Sequence, residues 1–167
     1  NLNTANAGII GGNNVTFTTG SNTNVGTFTG NFSLSAGSRL NATYADLAEK
    51  YVGDEAYEPG TVLVFGGDNE VTTTDTKGDR KIAGVVSTDP AYLMNNQLEG
   101  DTVIELALTG RVPCNVIGTV EKGDMLVTSA IPGYAIVNND PKVGTVIGKA
   151  LSNKNDADRG IVEIVVG

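Results

Sequence analysis

Past residue 57, apolar and polar positions alternate in short runs, and Gly, Asn, Asp or Pro interrupts them roughly every eight to twelve residues. The apolar members are mostly Val, Ile and Leu. This pattern predicts strands at Thr61–Phe65, Glu70–Thr73, Lys81–Val86, Thr102–Leu108, Val112–Ile117, Asp124–Val127, Ala135–Val137, Thr145–Leu151 and Gly160–Val166. The class expected over 57–167 is all-β, a small sandwich or barrel. The pattern also echoes itself. Glu58-Pro59-Gly60-Thr61-Val62-Leu63-Val64 parallels Glu121-Lys122-Gly123-Asp124-Met125-Leu126-Val127, and Ile82–Ser87 parallels Val146–Leu151. The separation of Gly60 from Gly84 nearly equals that of Gly123 from Gly148, so a two-fold duplicated β unit is expected.

Residues 1–40 differ in kind. No charged side chain occurs from Asn1 to Ser38, and Asn, Gly, Thr and Ser surround sparse apolar residues. Val15 and Phe17 share a face at period two, as do Phe28, Phe32 and Leu34. So little apolar surface does not offset backbone ordering, which costs ~1–2 kcal/mol per residue. Disordered segments are usually rich in charge and Pro, and this one has one Arg and no Pro. Its Thr, Val and Phe favour strands. The expectation is an intertwined β stem, trimeric, that takes its missing apolar surface from sister chains.

Between these regions, Leu40, Tyr44, Leu47, Ala48 and Tyr51 fall on one helical stripe. Asn41 or Thr43 would cap it, Asp46 would lie in the first turn, and Gly53 would end it. A short helix is therefore expected over 42–51, within a helical junction at 41–56. With Val15, Phe17, Phe28, Phe32 and Leu34, the residues Tyr44, Leu47 and Tyr51 form the expected oligomerisation set.

The net charge is −8 and the sequence pI about 4.4. Such a surface repels phosphates and argues against nucleic acid as a partner. No apolar run approaches the ~18 residues of a membrane span. His is absent, which removes the commonest general base and metal ligand. Cys114, the only cysteine, reads as a small buried hydrophobe in a strand. The oxygen-rich runs Asp75–Asp79, Asn138–Asp140 and Asn153–Asp158 read as solvated turns. The last has the alternation of a calcium loop but carries Lys154 and lacks the closing Glu. No metal and no cofactor are expected. The chain opens inside the uncharged pattern without Met, as expected of a fragment, a processed product or the end of a longer protein.

The phrase Tyr44-Ala45-Asp46-Leu47-Ala48-Glu49-Lys50-Tyr51, followed by Tyr57-Glu58-Pro59-Gly60-Thr61-Val62, resembles the start of a C-terminal domain of bacteriophage tailspikes, tail fibres and tail appendages. Ala83-Gly84-Val85-Val86-Ser87, Leu106–Val116 and Gly123–Val127 resemble its later segments, and the likeness covers roughly residues 40–150. The resemblance implies a trimeric virion protein located in the phage tail or a surface appendage. For some members it implies an intramolecular chaperone that cuts itself off after assembly. Carried over by position, Asp46 and Glu49 are its catalytic carboxylates, one protonated and one ionised, acting on a bond near Ser38–Ala42. Without cleavage, Asp46 would serve as a helix-dipole partner, and Glu49 as a solvated residue or a partner of Arg39 or Lys50. The leading expectation is a structural, homotrimeric end domain of a tail fibre or appendage, not a conventional enzyme. The alternatives are the self-cleaving chaperone, a tip that binds host-surface glycan, and a capsid decoration protein.

Overall fold

The alternation after residue 57 becomes two closed β-barrels that share one strand. The structure, a computed structural model, describes residues 31–167. The chain divides between Leu40 and Asn41. Val15, Phe17 and Phe28 lie outside the described residues. Over 31–40 the chain is irregular, with a turn closed by Ser38 N–H donating to the Ser35 carbonyl at 3.1 Å. Phe32, Leu34 and Leu40 are exposed on the single chain.

The unit Asn41–Gly167 is all-β, and no helix occurs among the described residues. In order its strands are β1 Asp46–Val52, β2 Val62–Phe65, β3 Val71–Thr72, β4 Ile82–Val86, β5 Tyr92–Met94, β6 Val103–Ile117, β7 Met125–Thr128, β8 Ala135–Val137, β9 Val146–Ala150 and β10 Arg159–Val166. The second barrel is the ring β6–β10–β9–β7–β8, closed where β8 returns parallel to β6 at Val116↔Ala135. The first is the ring β6–β1–β3–β2–β4, in which β1 returns to β3 through a parallel bridge, Gly53↔Val71.

The two rings match position by position, as the sequence echo anticipates. Leu63 pairs Gly84 beside a bulge, and Leu126 pairs Gly148 beside a bulge. Gly60 N–H donates to Val86 O, and Gly123 N–H to Ala150 O, both at 2.8 Å. Ser87 N–H meets Glu105 O at 2.7 Å, and Leu151 N–H meets Glu163 O at 2.8 Å. The interiors correspond too. Leu63, Val71, Val86, Ile104 and Leu106 fill the first barrel where Leu126, Ala135, Ala150, Val162 and Ile164 fill the second. Val62, Val85 and Ala107 face the other way and join the second barrel's core, so one apolar seam binds the rings.

The expected helix over 42–51, and with it a helical junction at 41–56, is not formed. Asp46–Val52 is a strand paired along its whole length with β6 and in part with parallel β5. Its stripe fits a helix, but Asp46 and Ala48 also alternate with Leu47, Glu49 and Tyr51. Tertiary pairing on two sides decides between the two periods. A second difference is that Thr102–Leu108 and Val112–Ile117 are one continuous strand.

Gly84 and Gly148 are fixed by close approach. A Cβ on Gly148 would lie 2.1 Å from the Val165 carbonyl oxygen, and one on Gly84 would lie 2.4 Å from that of Ala107. We expect Gly148→Ala to cost about 2–3 kcal/mol in equilibrium urea unfolding, since backbone and not a flexible side chain must move. Gly144→Ala is the control, because its Cβ would meet nothing within 4 Å and only its φ of +81° is unfavourable; it should cost about 1 kcal/mol.

Candidate functional site

The start of β1 and the end of β10 meet on one residue of β6. Gly110 pairs with both Asp46 and Val166. Its φ is +105°, and a Cβ there would sit 2.2 Å from Ala45 O and 2.7 Å from Asp46 Cα. Glycine at this position lets β1 enter over β6. Arg111 N–H then holds Ala45 O at 3.1 Å, and Ala91 N–H holds Asp46 O at 2.9 Å.

Asp46, so placed, points inward and is buried. Its Oδ2 accepts the Ser87 hydroxyl proton at 2.6 Å, and Ser87 is itself buried at the end of β4. Beside this pair opens a hollow of about 330 Å³, walled by 43–46, 87–89, 111–113 and Glu163. Arg111 Nη1 lies 3.6 Å from Glu163 Oε2 at its rim; both side chains are about half exposed, so the pair contributes little stability. The Tyr44 hydroxyl is hydrogen-bonded to Asp89, and that bond and the carboxylate charge raise the phenol's pKa above its ordinary value.

The structure does not bring Glu49 to this hollow. Three positions along a strand put Asp46 and Glu49 on opposite faces, and Glu49 Oε2 instead accepts the Tyr51 hydroxyl at 3.0 Å. Asp46 and Ser87 are the pair the fold assembles, and Ser87 is the residue sequence reasoning overlooked. Of the expected oligomerisation residues, Tyr44 is exposed and Leu47 half-buried. Tyr51 packs on its own barrel's core, edge-on to Phe65 with ring centroids 6.0 Å apart. Cys114 is fully buried, and burial pushes its thiol up to about 12, so it carries no thiolate at neutral pH.

The duplication supplies an internal control. The positions that correspond to Asp46 and Ser87 in the second barrel are Thr109 and Leu151, neither of them buried. A ring of this design therefore closes without a buried carboxylate–hydroxyl pair, so the pair is a feature of the site and not of the barrel. We expect Ser87→Ala to cost about 1–3 kcal/mol in urea unfolding, because it strips the donor from a buried carboxylate. Thr109→Val should stay within about 0.5 kcal/mol of the parent.

No family model matches the sequence, and no curated protein matches it. Solved structures are similar in fold. The C-terminal fragment of gene product 12 of bacteriophage phi29 is 12% identical at a TM-score of 0.55, over 73% of this chain and 100% of that one. The pre-mature gene product 12 of the same phage is 11% identical at a TM-score of 0.60, over 82% of this chain and 24% of that one. The N base of the phi29 head fiber gp8.5 is 16% identical over 72% of this chain and 93% of that one, but its TM-score of 0.44 is too low to read a shared fold from it. The chain thus spans about a quarter of the pre-mature gene product 12 chain and the full length of the C-terminal fragment, and it has the fold of that fragment.

Proposed function

We propose that this chain is a structural protein of a bacteriophage virion, the oligomerising end domain of a tail fibre or appendage, and that it assembles as a homotrimer. The observation that carries this reading is the fold shared with the whole C-terminal fragment of phi29 gene product 12. Two features of the chain support it. Its first 38 residues are uncharged, and Leu34 and Leu40 expose large apolar side chains on the single chain. Light scattering on the size-exclusion peak of the full chain tests it. Three times the 17.2 kDa chain mass is expected, and a stable monomer at micromolar concentration overturns it.

A second reading, self-cleavage ahead of β1, is favoured by the Asp46–Ser87 pair. The buried carboxylate has a hydroxyl at 2.6 Å in a hollow whose wall includes Thr43, Tyr44 and Ala45. A carboxylate so placed can accept the serine proton as a general base. Intact-mass spectrometry of the expressed chain should show a cut between Ser38 and Asp46. Asp46→Asn should abolish the cut, and Glu49→Gln, on the other face, should leave it. An uncut parent chain overturns the reading.

A further inference from the structure

Each barrel has a rim loop ahead of its last strand, residues 87–102 before β6 and 151–158 before β10. In both loops backbone carbonyls converge on a point, and a lysine ammonium occupies that point. In the first barrel it belongs to Lys50 of β1, which donates to Asn96 O at 3.0 Å and Leu98 O at 3.2 Å. In the second it belongs to Lys154 of the loop itself. That ammonium donates to Gly118 O at 3.3 Å, Asp156 O at 2.9 Å, Asp158 O at 2.6 Å and the Asp156 carboxylate. The lysines are not counterparts, for the duplication puts Pro113 where Lys50 stands. Two unrelated lysines meet the same electrostatic need, since carbonyl dipoles turned together call for a cation.

The Lys154 arrangement is the more complete. Its side chain is only 9% exposed, whereas Asp156 is 62% exposed. Three backbone carbonyls and one carboxylate make an all-oxygen cage of the type that hard cations take. Its formal charge of one is matched by one ammonium. The root of the lysine is fixed by paired backbone bonds to Val120, at 2.9 and 2.8 Å. Its stem crosses Gly160, where a Cβ would lie 2.5 Å from Lys154 Cε. The ammonium also holds the Asp156 carboxyl below the usual carboxylate range.

We infer that Gly118 and the loop 153–158 form a cation-binding site whose occupant is the chain's own Lys154 ammonium, and that the site takes a free monovalent cation of similar size once this group is removed. Thermal unfolding of the full chain in choline, sodium, potassium and ammonium chloride at equal ionic strength tests it. The parent should melt at one temperature in all four salts. Lys154→Ala should melt several degrees lower in choline chloride and regain most of the gap, saturably, in ammonium or potassium chloride. Lys154→Met, whose own side chain obstructs the cage, should melt low in every salt. An unchanged midpoint for Lys154→Ala, or the same depression in all four salts, overturns the inference. Limited acylation of the parent protein gives an answer even where neither variant folds. Lys77, Lys122 and Lys142 are exposed and should react while Lys154 stays unmodified, and labelling of Lys154 at their rate overturns it.

Discussion

Both barrels depend on one strand being shared. β6 is fifteen residues long; β1 pairs with its first half and β10 with its second, and the two reach Gly110 from opposite edges. β4 flanks the first half opposite β1, and β8 flanks the second half opposite β10. Neither ring closes without it, and an unclosed ring would leave a row of unpaired backbone donors and acceptors. A residue with a side chain at 110 would drive Ala45 and Asp46 off the sheet. The position of the candidate site follows from that crossing, because the hollow opens where two strand ends share a single glycine.

Much of this architecture is legible in the sequence, and the misses have particular causes. Short apolar or alternating runs between turn residues locate β2, β3, β4, β7, β8, β9 and β10; β2 and β4 bury both faces, one against each core, and the others bury at least one. The duplication is legible for the same reason, helped by Gly84 and Gly148, where a carbonyl from the next strand comes within 2.4 and 2.1 Å of a would-be Cβ. β6 reads as two strands because Gly110 carries a turn signal; the chain runs straight on because a different partner pairs each half. β5 has three residues between Pro90 and Asn95, too few to show a period, and it exists because β1 offers it an edge.

β1 is the instructive miss, since an error about local structure became an error about chemistry. On a helix, residues 46 and 49 share a face, so Asp46 and Glu49 read as one constellation. On a strand they face apart, and the inward Asp46 instead finds Ser87, forty-one residues on. The serine could not be paired with it from spacing, because only the β1–β6–β4 order brings the two together. A usable signal was nonetheless present. Setting the two halves of the echo side by side places Ser87 against Leu151, a polar residue where its counterpart has an apolar one.

That comparison separates two kinds of residue in this chain. Where the halves agree, as at Leu63 and Leu126 or Leu106 and Ile164, the side chain answers to the barrel, and any apolar residue of suitable volume meets the demand. A fold specified so loosely is compatible with 12% identity to the phi29 fragment. Where the halves disagree, the barrel is indifferent, and the difference needs another cause. The buried Asp46–Ser87 pair, the added β5 and the Lys154 cage are such differences. The first lies beside an open hollow, whereas the last closes a rim loop around the chain's own ammonium. The asymmetry between halves therefore separates residues the barrel requires from residues it does not, more sharply than either the composition or the distant likeness of fold.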